Sequence, residues 1–197
     1  MALAPPDGAV VDQRSLVQRA QRGDHDAFAV LAGAVIGRLG RAARLILRDP
    51  ELARDAVQES LIGAWRDLPG LRDPDRFDAW VHRLTVRACL RLVRRERRRS
   101  VEVALPIEDL GHPGDLEHEV AQREALDTAL RRIDPERRAL IVLHIYVGMT
   151  LPEVAAALDI PLGTAKSRLH RSLRELRLSL DASAFEGTAL EPEGQLA

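Results

Sequence analysis

Apolar residues return every three or four positions through most of the chain, and glycine or proline stands where that rhythm stops. A helical period of 3.6 produces this spacing, because side chains three and four apart share one face. The first repeat starts near Asp12. A second follows Asp24, a carboxylate suited to cap a helix, and runs through Phe28, Leu31, Val35, Leu39, Leu45 and Ile46 to Leu47. Asp49-Pro50-Glu51 then offers a cap, a proline at the first helical position and an acid in the first turn. The helix it opens is predicted to reach about Leu68, with Ala53, Val57, Leu61, Ala64 and Leu68 on one face. Pro69-Gly70 ends it, Leu71 to Arg76 reads as a loop containing Pro74, and a long helix follows from about Asp75 to Arg99.

Between Ser100 and Leu116 the period disappears among Pro106, Gly111, Pro113 and Gly114. Helices are predicted again at Glu117–Ile133, Pro135–Val147, Leu151–Leu158 and Thr164–Leu180. The predicted fold is all-α, with two small helical domains at residues 12–99 and 117–180 joined by a flexible acidic linker at 100–116. Residues 1–11 and the acidic stretch 181–197 read as disordered tails.

Composition supports helices. Val, Ile and Thr are few beside Ala, Leu, Arg and Glu, and aromatic residues make up only 3% of the chain. The formal net charge of −1 conceals a division. Arg83, Arg87, Arg91, Arg94, Arg95, Arg97, Arg98 and Arg99 are relieved only by Glu96, whereas Glu102, Glu108, Asp109, Asp115, Glu117 and Glu119 follow without an intervening Lys or Arg. Cys89 is the only cysteine, which excludes an internal disulfide and a cysteine-based structural metal site. No apolar run reaches the length of a membrane span and no signal segment is legible, so the expected location is the cytoplasm, without membrane insertion.

The densest chemistry lies near the C-terminus. Thr150-Leu151-Pro152-Glu153 has the form of a capping box, and Ala155, Ala156 and Ala157 permit close helix approach. Asp159 to Gly163 is predicted to turn the chain, with Thr164 able to cap the next helix. There Ala165, Leu169, Leu173, Leu176 and Leu180 fall within an arc of about 80°. Ser167, Arg171 and Arg174 lie opposite, flanked by Lys166, His170 and Arg177. An apolar stripe behind a basic front suits either a solvated helix of a bundle or the recognition helix of a helix-turn-helix, and the preceding cap, short helix and turn favour the second.

"GMTLPEVAAALDIPLGTAKSRLHRSLREL", with "ALRRIDPERRALIVLHIYVGMT" before it, resembles the promoter-reading C-terminal domain of bacterial sigma-70 family sigma factors, specifically the extracytoplasmic-function (ECF) group. The resemblance implies that Thr164, Lys166, Ser167, Arg168, Arg171 and Arg174 face the −35 promoter element. It also implies a first domain that grips RNA polymerase and melts DNA. "DAVQESLIGAW" is similar to the family's polymerase-binding segment, which assigns Asp55, Gln58, Glu59, Ile62 and Trp65 to that contact. "LRDPDRFDAWVHRLTVRACLRLVRRERRR" resembles the −10 reading segment, with Arg72, Asp73, Arg76, Trp80, Arg83, Arg87 and Arg91 as DNA contacts. Phe77 and Trp80 suit either base stacking or the core. Arg87 and Arg91 depart from the family pattern, where an asparagine and an acid are usual.

The implied partners are promoter DNA, core RNA polymerase through its beta-prime clamp and beta subunit, and an anti-sigma factor. No cofactor, metal or small-molecule substrate is expected. A dimeric helix-turn-helix regulator would explain the second domain but leaves the first without a task. An enzyme is disfavoured: the six histidines are scattered, with neither metal-ligand spacing nor a nucleophile motif.

Overall fold

The computed structural model describes residues 12–100 and 126–188, and the expected N-terminal tail, the linker and residues 117–125 of the predicted fifth helix lie outside these. Among the described residues the chain is helical throughout: α1 (Gln13–Gln21), α2 (His25–Leu47), α3 (Pro50–Asp67), α4 (Phe77–Ser100), α5 (126–131), α6 (Pro135–Ile141), α7 (Leu151–Leu158) and α8 (Leu162–Thr188).

Local side chains set most of the boundaries. Asp24 accepts from the Ala27 backbone N–H at 3.0 Å, and Asp49 from that of Leu52 at 2.9 Å. Asp134 accepts from Glu136 N at 3.0 Å and Arg137 N at 3.1 Å, ahead of Pro135. Each cap satisfies helix N–H groups that have no carbonyl partner within the helix.

In the N-terminal domain α2, α3 and α4 pack against one another, and α1 lies against α2. Val17, Leu31, Val35, Leu39, Ile46, Val57, Leu68, Phe77, Val81 and Val86 form the buried interior. Ala42, Ala43, Ala53, Ala56, Ala64 and Ala88 are buried too, and their small side chains let the helices approach closely. Gln21 ties α1 to the far end of α3, donating from its amide to the carbonyls of Leu68 at 3.1 Å and Leu71 at 2.7 Å.

Several sequence expectations shift. The Leu71–Arg76 loop contains a 3-10 turn at Pro74–Arg76, so α4 starts at Phe77. The Pro135–Val147 helix is α6 followed by a π turn at Val142–Tyr146, in which Val147 N–H bonds the Val142 carbonyl at 3.0 Å. α8 begins at Leu162, with Ala165 N–H bonded to the Pro161 carbonyl, so Thr164 lies inside the first turn and is not its cap. Its far end is Thr188, eight residues past Leu180, so the expected disordered tail does not start at Asp181. No glycine or proline stands between Leu180 and Gly187 to stop it. Leu173 is exposed, and buried Ser172 takes the place on the inner face that the apolar stripe assigned to it.

α6 and its π turn pack against α2 and α4, which joins the two domains. Arg48, in the left-handed conformation that ends α2 (φ 61°), is paired with Asp127 of α5. Arg41 Nε donates to the Tyr146 hydroxyl at 2.9 Å.

Candidate nucleic-acid interface

Three surfaces carry the residues singled out above. On α4, Arg83, Arg87 and Arg91 stand one turn apart and reach outward, Arg83 half-buried and the other two exposed. Val86, Ala88, Cys89 and Leu90 are buried behind them. A buried hydroxyl pair fixes the rotation of this helix, Thr85 Oγ1 donating to Ser60 Oγ of α3 at 2.9 Å.

At the N-terminal end of α4 the row continues into the loop. Asp73 accepts from Asp75 N–H at 3.1 Å, and Asp75 is paired with Arg14 of α1 at 2.5 Å, which holds the loop's shape. Arg72, Asp73 and Arg76 are exposed, and together with Trp80 and Arg83 they line a cleft of about 310 Å³. Trp80 is half-buried at its edge, whereas Phe77 is wholly buried, so the open alternative resolves to core for Phe77. Its ring centroid lies 6.1 Å from that of Trp80.

The second surface is the outer face of α3. Asp55, Gln58, Glu59 and Ile62 are all exposed, Ile62 by 61%. Glu59 accepts from Arg91 at 2.8 Å, linking this face to the arginine row. Trp65 stands at the edge of this face, half-buried, with its ring leaning on α2 at centroid distances of 4.4 Å from His25 and 5.1 Å from Phe28.

The third is the front of α8. Lys166, Ser167, Arg171 and Arg174 are exposed, while Thr164 and Arg168 are half-buried. Ala165, Leu169 and Ser172 are buried and seat the helix on α6 and α7. Arg137 of α6 locks it: Nε donates to Ser172 Oγ at 2.9 Å, and a terminal nitrogen to Glu175 at 2.5 Å. Ahead of α8, Thr150 donates to one Glu153 oxygen from its backbone N–H at 2.9 Å and from its hydroxyl at 2.7 Å. Asp159 makes the left-handed turn between α7 and α8, with φ 56°. A short polar side chain tolerates that conformation better than a branched one.

The sequence reading missed the carboxylates that meet these cations. Arg76 is paired with Glu153, and Glu136 lies 3.9 Å from Arg94 and 3.6 Å from Arg168. Arg137 was missed as well, its partners lying 35 and 38 residues away. Of the histidines, His25 stacks on Trp65, His82 is buried with Nδ1 2.7 Å from the Asp78 carbonyl, and His144 Nδ1 lies 2.7 Å from the Met149 carbonyl. Burial lowers the basicity of His82. These are packing positions.

Comparison with known proteins matches residues 31–99 to Sigma-70 region 2 and residues 123–176 to Sigma-70, region 4. The ECF RNA polymerase sigma factor SigM of Mycobacterium tuberculosis is 34% identical over 154 residues, covering 78% of this chain and 77% of SigM. The chain belongs to the ECF sigma factors. The ECF sigma factor SigE of Mycolicibacterium smegmatis is 34% identical over 131 residues, which is 64% of this chain and half of that longer relative. The structure of CnrH in complex with the cytosolic domain of CnrY superposes with a TM-score of 0.60 at 30% identity, covering 87% of this sigma factor and 99% of CnrH. Among the described residues no helix is long and apolar enough to cross a membrane.

Proposed function

We propose that this sigma factor directs core RNA polymerase to a set of promoters by dividing the work among its three surfaces. Asp55, Gln58, Glu59 and Ile62 meet the beta-prime clamp. Arg72, Asp73, Arg76 and Trp80 hold the opened −10 element, while Arg83, Arg87 and Arg91 follow its backbone. Lys166, Ser167, Arg171 and Arg174 enter the major groove at the −35 element, with Thr164 and Arg168 at the margin. The factor is not an enzyme; bond-making belongs to the polymerase, in the cytoplasm where polymerase and chromosome lie.

The observation that carries this reading is the adjacency of two unlike faces on crossing helices. An exposed isoleucine among carboxylate and amide groups suits a protein helix, and the arginine row beside it suits phosphates. An initiation factor needs both together, since DNA must be melted where the polymerase is gripped. A dimeric repressor would leave the α3 face without a partner. A restraining anti-sigma protein fits the same reading, because a free sigma factor competes for polymerase, and CnrH was solved with a second protein bound.

Run-off transcription with purified core polymerase on a promoter library tests the proposal. Initiation at discrete start sites that depends on this chain is expected, and is expected to be lost on replacing Ile62 with aspartate. Retention of promoter binding without any initiation would favour the regulator.

A further inference from the structure

We infer that Arg137, held between α6 and the seated side of α8, is a positioning residue for promoter reading. It sets the rotation of α8 about its own axis, and through that rotation the sequence preference at the −35 element, without meeting a base itself. The inference rests on the assignment of the α8 front to that element made above.

The apolar seat of α8 does not fix that rotation alone. Ala165 and Leu169 are buried, but beyond them Leu173 is exposed and Leu176 only half-buried. Apolar contact is non-directional, so a seat this narrow leaves the helix room to roll. The side chain wholly buried at that point is a polar one, Ser172. Its hydroxyl accepts from Arg137 Nε at 2.9 Å and donates to the Arg168 carbonyl at 2.7 Å. Three residues on, Glu175 accepts from a terminal nitrogen of the same guanidinium at 2.5 Å. Positions three apart are neighbours on a helix surface, so one rigid planar fork grips α8 at two points along the same side. The fork is itself braced, since Asp134, whose carboxylate caps α6, lies 3.8 Å from Nε. With the Arg137 side chain only 19% exposed, these charge-assisted bonds are poorly screened by solvent.

Rotation decides what the front of the helix can read. At 3.6 residues per turn, Ser167, Arg171 and Arg174 lie roughly 100° to 160° around α8 from Ser172. A roll of about 20° carries an atom about 6 Å from the axis through about 2 Å. A contact to a base edge tolerates roughly 0.5 Å. A long cationic side chain can follow a phosphate through such a shift, but a bidentate bond to a base edge is lost. Release of the Arg137 fork therefore costs α8 its sequence preference before it costs affinity for DNA.

Competition binding of the full chain tests this, with a −35 duplex selected by the parent protein set against its scrambled counterpart. Arg137→Ala is expected to lower the ratio of selected to scrambled affinity about tenfold. Binding to the scrambled duplex, and its salt dependence, should stay within about twofold, since every cation on the front remains. Arg137→Glu alone should lower the ratio at least as far. Combined with Glu175→Arg, which restores an ion pair of reversed sense at unchanged net charge, it should recover most of the lost ratio. A role confined to stability would weaken both duplexes together. Equal loss on the two duplexes, or an exchanged pair no better than Arg137→Glu alone, overturns the inference. A parent protein that selects no −35 sequence overturns the α8 assignment and the inference with it. A parent that selects one, with an Arg137→Ala variant that selects it equally well, overturns the inference alone.

Discussion

Thr85 and Ser60 meet hydroxyl to hydroxyl at 2.9 Å where α4 crosses α3, and both are shut off from solvent. Ser60 Oγ in turn donates to the Val57 carbonyl at 2.8 Å, and the Thr85 hydroxyl also lies 3.1 Å from the Val81 carbonyl of its own helix, so the pair forms a short chain in an otherwise apolar seam. This pair sets which side of α4 presents arginines and which side of α3 presents Ile62. Thr85→Val should lower unfolding free energy by about 1–2 kcal/mol, as Ser60 loses its donor in a dry site. Adding Ser60→Ala should cost less than the sum of the single changes, because neither partner is then left wanting. Urea unfolding of the four proteins measures this, and strict additivity would mean that the bond contributes nothing.

Arg171 is exposed on the front of α8 opposite its seated face. If it reads a base edge, Arg171→Ala should weaken binding to a −35 duplex by roughly 1–3 kcal/mol and relax the preference at one base pair. A residue of the same face that meets a phosphate instead, as Arg174 would at the groove's edge, should on replacement by alanine weaken all sequences alike and flatten the salt dependence by about one contact. Competition binding against single-base variants separates the two, and an unchanged profile would remove Arg171 from base readout.

What was legible in the sequence is what short-range chemistry decides. Asp24, Asp49 and the Thr150–Glu153 box act within three residues of the backbone they cap, and the α2, α3 and α7 boundaries followed from them. The face of α3 was legible too, since burial there follows helical period. Three things were not. Nothing local stops α8 at Leu180, where the apolar stripe ends. Trp65 sits on the flank of its helix, and only the positions of His25 and Phe28 decide which way it turns. Above all, Arg76 finds Glu153 across 77 residues and Arg94 approaches Glu136, and no spacing rule foretells such encounters. The arginine clusters could be seen from the chain alone. Their internal partners could not.

Cys89 lies wholly inside α4's core, and burial pushes its thiol up to about 12. Thiolate is the reactive form, so the native protein should resist alkylating and disulfide reagents at neutral pH. Modification should occur only through opening, with a rate that follows global stability across denaturant concentrations. Fast labelling in the native state would show that α4 frays around the arginine row.

Ile62 is more than half exposed and lies outside the buried core. Ile62→Asp should change unfolding free energy by less than about 0.5 kcal/mol. The same change should reduce co-purification with core polymerase at least tenfold, as a buried charge at the centre of an interface costs more than 1.4 kcal/mol. Undiminished capture would take this helix face out of the polymerase contact.

Glu153 gathers the Thr150 hydroxyl, the Thr150 backbone N–H and the Arg76 guanidinium on its carboxylate, and these in that order hold its pKa at about 2, against an ordinary 4.5. Because the folded state prefers the ionised form, the stabilisation it provides is complete above the ordinary value. It is lost as pH falls from about 4.5 towards 2, and raising the pH changes nothing. Acid should therefore loosen the start of α7 and the contact to the loop together. Carboxyl-carbon NMR titration should place Glu153 near 2 in the parent protein. Thr150→Ala should raise that value more than Arg76→Ala does, since the hydroxyl is the larger cause and the backbone N–H survives both changes. A parent value near 4.5 would show that the capping box and the bridge to Arg76 do not persist in solution.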